Sequence, residues 1–159
     1  MAKKVLAAVF SAGGTTKKVG KEIARIAGAD FHEIIPKESY TSADLDWTDR
    51  KSRSSLEMND PSARPEIANS VPDMDAYDTV IVGFPIWWGV APRIIETFLE
   101  SYDFSGKKII PFCTSGGSGV GKSDTALHKN VTGDVKWAKG RQINRPNEAE
   151  IRRWLSEVL

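Results

Sequence analysis

The amino-acid sequence predicts an α/β fold of the doubly wound type, with helices on both faces of a parallel sheet. Four short apolar runs, at residues 5–10, 31–35, 79–84 and 108–113, are continuous rather than alternating, which is typical of strands covered on both faces. Segments of helical periodicity lie between and after these runs. An alternation of strands and helices along the chain favours a parallel sheet of this class.

Three helices are predicted from their apolar spacing. Residues 17–28 carry Val19, Ile23 and Ile26 on one face and end in a glycine, which is a common helix stop. Residues 92–102 begin with a proline, which fits the first turn of a helix, and continue with an apolar face. Residues 147–159 form the closing amphipathic helix, and a weak fifth strand is predicted near residues 134–140.

The stretch between residues 36 and 78 is polar and contains prolines at positions 61, 65 and 72. A loop of this length without any secondary structure is unusual in a compact domain. We expect residues 46–58 to form a short helix that covers the binding site or the sheet edge. No second domain is indicated, so residues 1–159 are predicted to form a single domain.

The overall composition is that of an ordinary globular protein. The chain of 159 residues has a formal net charge of +1 and gives no reason to expect binding to nucleic acid or to a membrane surface. Its one cysteine rules out an internal disulfide and favours a cytoplasmic location. Cys113 is interpreted as a small buried residue, and the two histidines lack the spacing of a metal site.

Three loops follow the predicted inner strands, at the sheet edge where ligands bind in this fold class. The first, "SAGGTT" at residues 11–16, offers backbone N–H groups, hydroxyls and the start of a helix, which together suit a phosphate. The second, "PIWWGVAP" at residues 85–92, offers aromatic faces that suit a flat conjugated ring. The third, "TSGGSGVG" at residues 114–121, offers glycine and serine groups for a polar ring edge.

Each loop alone has a plain structural interpretation as a capped turn, a core tryptophan or a connector. Together they suit a ligand with a phosphate at one end and a planar heterocycle at the other. At this level of detail the sequence resembles the flavodoxin family. The resemblance rests on "FSAGGTTKKVGKEIA" and "YDTVIVGFPIWWGVAPRIIETFLESYDFSGKKIIPFCTSGGSG" and extends over nearly the whole chain, with a Trp-Trp loop as in a bacterial subgroup.

The resemblance implies a flavodoxin-like, five-stranded parallel sheet in the order 2-1-3-4-5 and one non-covalently bound FMN. It places the phosphate, the ring face and the pyrimidine edge on three sets of residues. These are Ser11, Ala12, Gly13, Gly14, Thr15 and Thr16; Pro85, Ile86, Trp87, Trp88 and Gly89; and Thr114, Ser115, Gly116, Gly117, Ser118 and Gly119.

Two departures from the family pattern affect these expectations. Gly13 stands where a threonine is usual in the phosphate loop, so one hydroxyl contact is lost. The third loop has no tyrosine to stack on the flavin. A second stacking partner must therefore come from the 36–78 segment or from another chain, although Trp47, Trp137 and Trp154 are interpreted most simply as core or cover residues.

A competing interpretation comes from "GGSGVGKS", residues 116–123, which fits the phosphate-loop pattern of nucleotide triphosphatases. Such an enzyme also needs an acidic residue on another core strand to help hold magnesium. The strand at residues 79–84 ends in Gly-Phe instead, and only 36 residues follow Ser123. The triphosphatase is therefore the distant alternative.

The leading functional prediction is an FMN-binding electron-transfer protein that serves redox partner proteins as a monomer or weak dimer. The first alternative is an FMN-dependent oxidoreductase that uses NAD(P)H to reduce a quinone-type substrate. A flavin-binding module with a regulatory or storage role is a third class. The sequence has no separate nicotinamide motif, which favours the carrier over the enzyme.

Overall fold

The fold is described from a computed structural model, in which residues 4–87, 90–114, 127–131 and 133–159 are defined. Its strands are β1 (Val5–Val9), β2 (Asp30–Glu33), β3 (Thr79–Pro85), β4 (Lys108–Thr114), β5 (Lys136–Trp137) and β6 (Arg141–Gln142). Its α-helices are α1 (Thr15–Ala27), α2 (Arg53–Met58), α3 (Arg93–Glu100) and α4 (Glu148–Val158). Short 3₁₀ turns lie at Met74–Ala76 and Leu127–Asn130.

The strands form one parallel sheet in the order β2-β1-β3-β4-β5, as predicted. The short segments β5 and β6 both pair with β4, at Lys108↔Lys136 and at Cys113↔Gln142. The fifth strand predicted near residues 134–140 is therefore present only as β5, and a second piece, β6, follows after residues 138–140 and lies beyond the predicted range. Its weak sequence signal corresponds to this interruption, since neither piece is longer than two residues.

Alternate residues of β1 enter two separate cores. Leu6 and Ala8, together with Phe10 just after the strand, pack with the buried side of α3 on one face of the sheet. Val5, Ala7 and Val9 pack with α1 and α4 on the other face. This arrangement confirms helices on both faces and explains why the strand is apolar at every position.

The predicted helices are present with small shifts at their ends. Gly28 ends α1 in the left-handed conformation, at φ 66°, as expected for a glycine stop. Pro92 lies just before α3 rather than inside its first turn. The helix expected within residues 46–58 is present as the six-residue α2.

The 36–78 segment is tied to the sheet edge and to α3. Pro36 and Ile67 form an antiparallel bridge beside β2. The Asn69 side chain donates to the Glu33 carbonyl at 2.8 Å and accepts from the Ile35 N–H at 3.2 Å.

Within the described ranges, no helix is both long enough and apolar enough to cross a membrane.

Candidate functional site

A cavity of about 700 Å³ opens at the carboxyl ends of β1, β3 and β4. Its volume falls within the range of roughly 300–1,000 Å³ that is typical of small-molecule sites. Eight of the predicted site residues line it: Ala12, Gly13, Thr15, Thr16, Pro85, Ile86, Trp87 and Thr114. Four residues that were not predicted as site residues complete the wall: Leu45, Trp47, Ser54 and Asn144.

The first loop is shaped by a glycine before α1. Gly14 has a φ of 96°, a conformation that side chains other than glycine rarely adopt, and its N–H donates to Ser11 Oγ at 3.0 Å. Ser11 and Gly14 thus set the turn rather than line the cavity. At Gly13 a Cβ atom would meet nothing within 4 Å, so there is open space beside the loop.

Hydrogen bonds join the three predicted loops. The hydroxyls of Thr16 and Thr114, both buried, lie 2.7 Å apart and connect the first loop to the third. The Ile86 N–H donates to the Thr114 carbonyl at 2.9 Å and connects the second loop to the third. The parallel register of β3 and β4, which places Pro85 beside Thr114, brings these loops together.

The Trp87 ring is held edge-on by other aromatic rings. Its centroid lies 5.4 Å from that of Tyr40 and 5.9 Å from that of Phe10. The Tyr40 hydroxyl donates to Glu57 Oε1 at 2.5 Å, and the Arg53 guanidinium lies 3.9 Å from the Tyr40 ring centroid. Burial, together with the hydrogen bond to Glu57, raises the pKa of Tyr40 above its usual range, so this ring stays neutral.

The remaining predicted site residues are not all described. Trp88, Gly89 and the stretch from Ser115 to Gly119 lie outside the described residues, and so does the 116–123 phosphate-loop match. Cys113 is buried at the end of β4, as expected, and burial raises the pKa of its thiol to about 12. Among the described residues, no cluster of three or more His, Cys, Asp or Glu side chains could hold a metal ion.

The four cavity residues that the sequence analysis did not predict come from two parts of the chain. Leu45, Trp47 and Ser54 belong to the 36–78 segment, where the sequence indicated cover but not which side chains reach the site. Asn144 follows β6, so the rule that ligands bind at the carboxyl ends of parallel strands could have found it if a strand had been predicted at residues 141–142 rather than near 134–140. Trp154 is in the core, whereas Trp47 is 73% exposed and lines the cavity.

The fold and this cavity define a doubly wound α/β protein with a ligand site at the carboxyl edge of its sheet. The family model described as Flavodoxin matches residues 4–158. The chain therefore belongs to the flavodoxin family. A comparison with curated proteins finds no match.

Solved structures show the same architecture. A flavoprotein from Bacteroides eggerthii is 47% identical, with a TM-score of 0.94 over 99% of this chain and 98% of its own. One from Bacteroides uniformis is 45% identical, with a TM-score of 0.93 over 98% and 99% of the two chains. A Lactobacillus acidophilus flavoprotein, solved in complex with FMN, is 23% identical, with a TM-score of 0.68 over 97% and 99%. The last of these shows likeness of fold alone.

Proposed function

We propose that this protein binds FMN in the cavity at the carboxyl edge of the sheet and transfers electrons between redox partner proteins. One observation carries the proposal. Residues of a hydroxyl-rich loop, of an aromatic loop and of the Thr114 end of β4 all line the same cavity. Membership of the flavodoxin family supports FMN as the cofactor, as predicted, and the FMN complex of the Lactobacillus relative agrees with it.

The residues present fit this cofactor at both of its ends. For the phosphate, the cavity wall offers Gly13, with open space beside it, and Thr15 at the start of α1. A helix start with exposed N–H groups favours a phosphate dianion. For the ring system, the wall offers apolar Ile86 and the aromatic faces of Trp87 and Trp47, which suit a planar heterocycle.

The protein's part in the reaction is to bind, orient and shield the cofactor. FMN supplies one- and two-electron chemistry when it is bound. Trp87 is fixed by Phe10 and Tyr40, so it offers a rigid wall. Trp47 is the candidate for the second ring contact expected from the 36–78 segment. Its side chain is mostly exposed, so a ring packed against it would cover apolar surface that now faces solvent.

The visible spectrum of the purified protein, before and after addition of FMN, tests the cofactor. We expect flavin absorption bands that co-elute with the protein and quenching of flavin fluorescence on titration. A colourless protein that takes up no added FMN would refute the proposal.

A second experiment tests electron carriage against the oxidoreductase alternative. Steady-state NAD(P)H oxidation by the FMN-loaded protein is measured with and without a quinone acceptor. A carrier gives no turnover in either arm but passes electrons from a flavoprotein reductase to cytochrome c. Rapid quinone-dependent oxidation of NAD(P)H would favour the enzyme instead.

The cytoplasmic location remains a prediction from the single cysteine.

A further inference from the structure

A second, smaller cavity lies where α3 leads into β4. This cavity, the α3–β4 hollow, has a volume of about 200 Å³. Six residues form its wall: Leu99, Glu100, Tyr102, Asp103, Phe104 and Asn130. The hollow lies near the amino end of β4, which begins at Lys108, whereas the larger cavity lies at the carboxyl end. The two cavities are therefore at opposite edges of the sheet.

The side-chain amide of Asn130 is paired at one end and unpaired at the other. Its Nδ2 group donates to Glu96 Oε2 at 3.0 Å and to Glu100 Oε2 at 2.8 Å. Because only the amino group of an amide can donate, the two carboxylates fix the orientation of the side chain. The residue is 8% exposed, and no described residue donates to its buried Oδ1 atom. Buried carbonyl oxygens seldom lack a donor, so this atom points to an absent N–H or O–H group.

The carboxylates that hold Asn130 are themselves held by two arginines. Arg64 pairs with Glu96 Oε2 at 3.2 Å and donates to Glu100 Oε1 at 2.8 Å. Arg93 donates to Glu96 Oε1 at 2.6 Å. The amide is thus presented by a network anchored on α3, which suits a group that binds a ligand.

Asp103 places a carboxylate at the exposed rim of the hollow. The Ser105 N–H donates to Asp103 Oδ1 at 3.0 Å, and hydrogen bonds from Ser105 lower the pKa of this carboxyl, so it stays ionised near neutral pH. The nearby Lys107 ammonium donates to the Tyr77 carbonyl at 2.5 Å. An ionised carboxylate at the rim favours a cationic ligand over a neutral one.

Leu99, Tyr102 and Phe104 give the hollow an apolar side. The two aromatic rings meet edge-on, with their centroids 6.3 Å apart. The Tyr102 hydroxyl accepts from the Val71 N–H at 2.8 Å, which fixes its ring. Apolar and aromatic surface beside a carboxylate suits an ammonium group on an alkyl chain, because the chain covers the apolar surface while the charge stays near the carboxylate.

We propose that the α3–β4 hollow binds a primary ammonium group carried on a short alkyl chain. The ammonium donates to Asn130 Oδ1 and lies beside the Asp103 carboxylate, and the chain packs against Leu99, Tyr102 and Phe104. Two sources carry this chemistry: a free alkylamine and the lysine side chain of a partner protein. The proposal does not depend on FMN, since the two cavities share no lining residue among those described.

The test is an NMR titration of the isotope-labelled protein with n-butylamine, at fixed pH and ionic strength. This amine is protonated near neutral pH, as a lysine side chain is. We expect the side-chain amide and carbonyl resonances of Asn130 to shift, with a Kd on the order of 1–10 mM. The uncharged n-butanol, which has the same alkyl chain, should bind at least about fivefold more weakly.

A lysine analogue blocked at both backbone ends, N-acetyl-lysine methylamide, distinguishes the two sources. Binding as tight as that of n-butylamine supports the site as a receptor for a protein lysine. Weaker binding than n-butylamine supports a site for a free alkylamine.

Asp103→Asn is the first variant, because Asp103 is exposed and can be changed without disturbing the core. It should weaken n-butylamine binding about threefold to tenfold and leave n-butanol binding unchanged within about twofold. Asp75→Asn is the matched control, since Asp75 is exposed but does not line the hollow. Its affinity for n-butylamine should equal that of the wild type.

Asn130→Ala removes the proposed acceptor and should abolish the binding of n-butylamine. The dispersion of backbone amide resonances reports whether this variant is folded, and the Asp103 variant decides the question if it is not. The site is refuted if n-butylamine leaves the Asn130 resonances unmoved at about tenfold the expected Kd, or binds no better than n-butanol. Equal affinities in Asp103→Asn and Asp75→Asn also refute it.

Discussion

At the scale of single residues, Trp47 combines large exposure with a place in the cavity wall. It is 73% exposed, so a flavin ring packed against it would remove apolar indole surface from water. The sequence analysis left the second ring contact to the 36–78 segment or to another chain and did not identify the residue. Solvent exposure of one side chain depends on how the whole segment is folded back, which local periodicity does not report.

Trp47→Ala is predicted to weaken FMN binding by about 0.5–1.5 kcal/mol, or roughly two- to twelvefold, because a stacking face is lost. Fluorescence titration of apoprotein gives the affinity. Leu56→Ala is the control, since Leu56 is 58% exposed but does not line the cavity. Equal affinities in the Trp47 and Leu56 variants would show that Trp47 does not contact the flavin.

Gly83 illustrates a second residue-scale constraint, this time in the core. A Cβ atom at this position would lie 2.2 Å from Phe112 Cζ, which belongs to a fully buried ring. Gly83→Ala is therefore predicted to lower the free energy of unfolding by about 1–3 kcal/mol. Gly13→Ala, where the space is open, should change it by less than about 0.5 kcal/mol. Urea denaturation of the two variant apoproteins measures their free energies of unfolding. Similar denaturation midpoints for Gly83→Ala and Gly13→Ala would contradict the prediction.

At the scale of elements, Arg93 is the contact that attaches α2 to α3. Its guanidinium donates to Glu96 Oε1 at 2.6 Å, and to the Glu57 and Met58 carbonyls at 3.2 Å and 2.9 Å. Glu96 is only 4% exposed, so protein donors take the place of water around its carboxylate. A helix of six residues has little stability of its own, and α2 is held by these tertiary contacts.

Arg93→Ala is predicted to lower the free energy of unfolding by about 2–4 kcal/mol, because it exposes two helix carbonyls and leaves a buried carboxylate with fewer partners. Amide exchange over residues 53–58 should accelerate. Arg152→Ala is the control, since its pair with Glu148 is more than half exposed on both sides and contributes little to stability. An equal loss in both variants would refute the anchoring role.

The element order was predictable from the sequence because it depends on local patterns. Apolar runs, helical spacing and the glycine at residue 28 indicated β1, α1 and β2 without tertiary information. The interruption of the fifth strand was not predictable in detail. Its two pieces are defined by pairing with β4, which is a long-range contact.

At the scale of the whole molecule, the charge around the cofactor site depends on which loops the fold brings together there. The ring loops at residues 85–92 and 114–121 contain no Asp or Glu. Reduced, anionic flavin therefore meets little carboxylate repulsion from them, and its lower-potential couple should be less negative than in a site ringed by acidic residues.

Ile86→Glu tests this prediction, because Ile86 lines the cavity. The new carboxylate should make the lower-potential couple of bound FMN more negative, by about 59 mV for each 1.4 kcal/mol of repulsion, and less so at high salt. Leu159→Glu adds the same charge beyond α4, whose Val158 carbonyl accepts from Lys108 at the opposite end of β4. Spectroscopic redox titration that gives equal shifts in the two variants would contradict the prediction.

By itself, the sequence determined the α/β class, the order of elements and the loops that follow the inner strands, because these depend on short-range periodicity and turn chemistry. It also supplied the family resemblance, and with it the strand order and the expected cofactor. Only the tertiary structure decided that Leu45, Trp47, Ser54 and Asn144 share the cavity with the predicted loops. These residues reach the site through contacts between distant parts of the chain, such as those made by Arg93, and no local pattern in the sequence encodes such contacts.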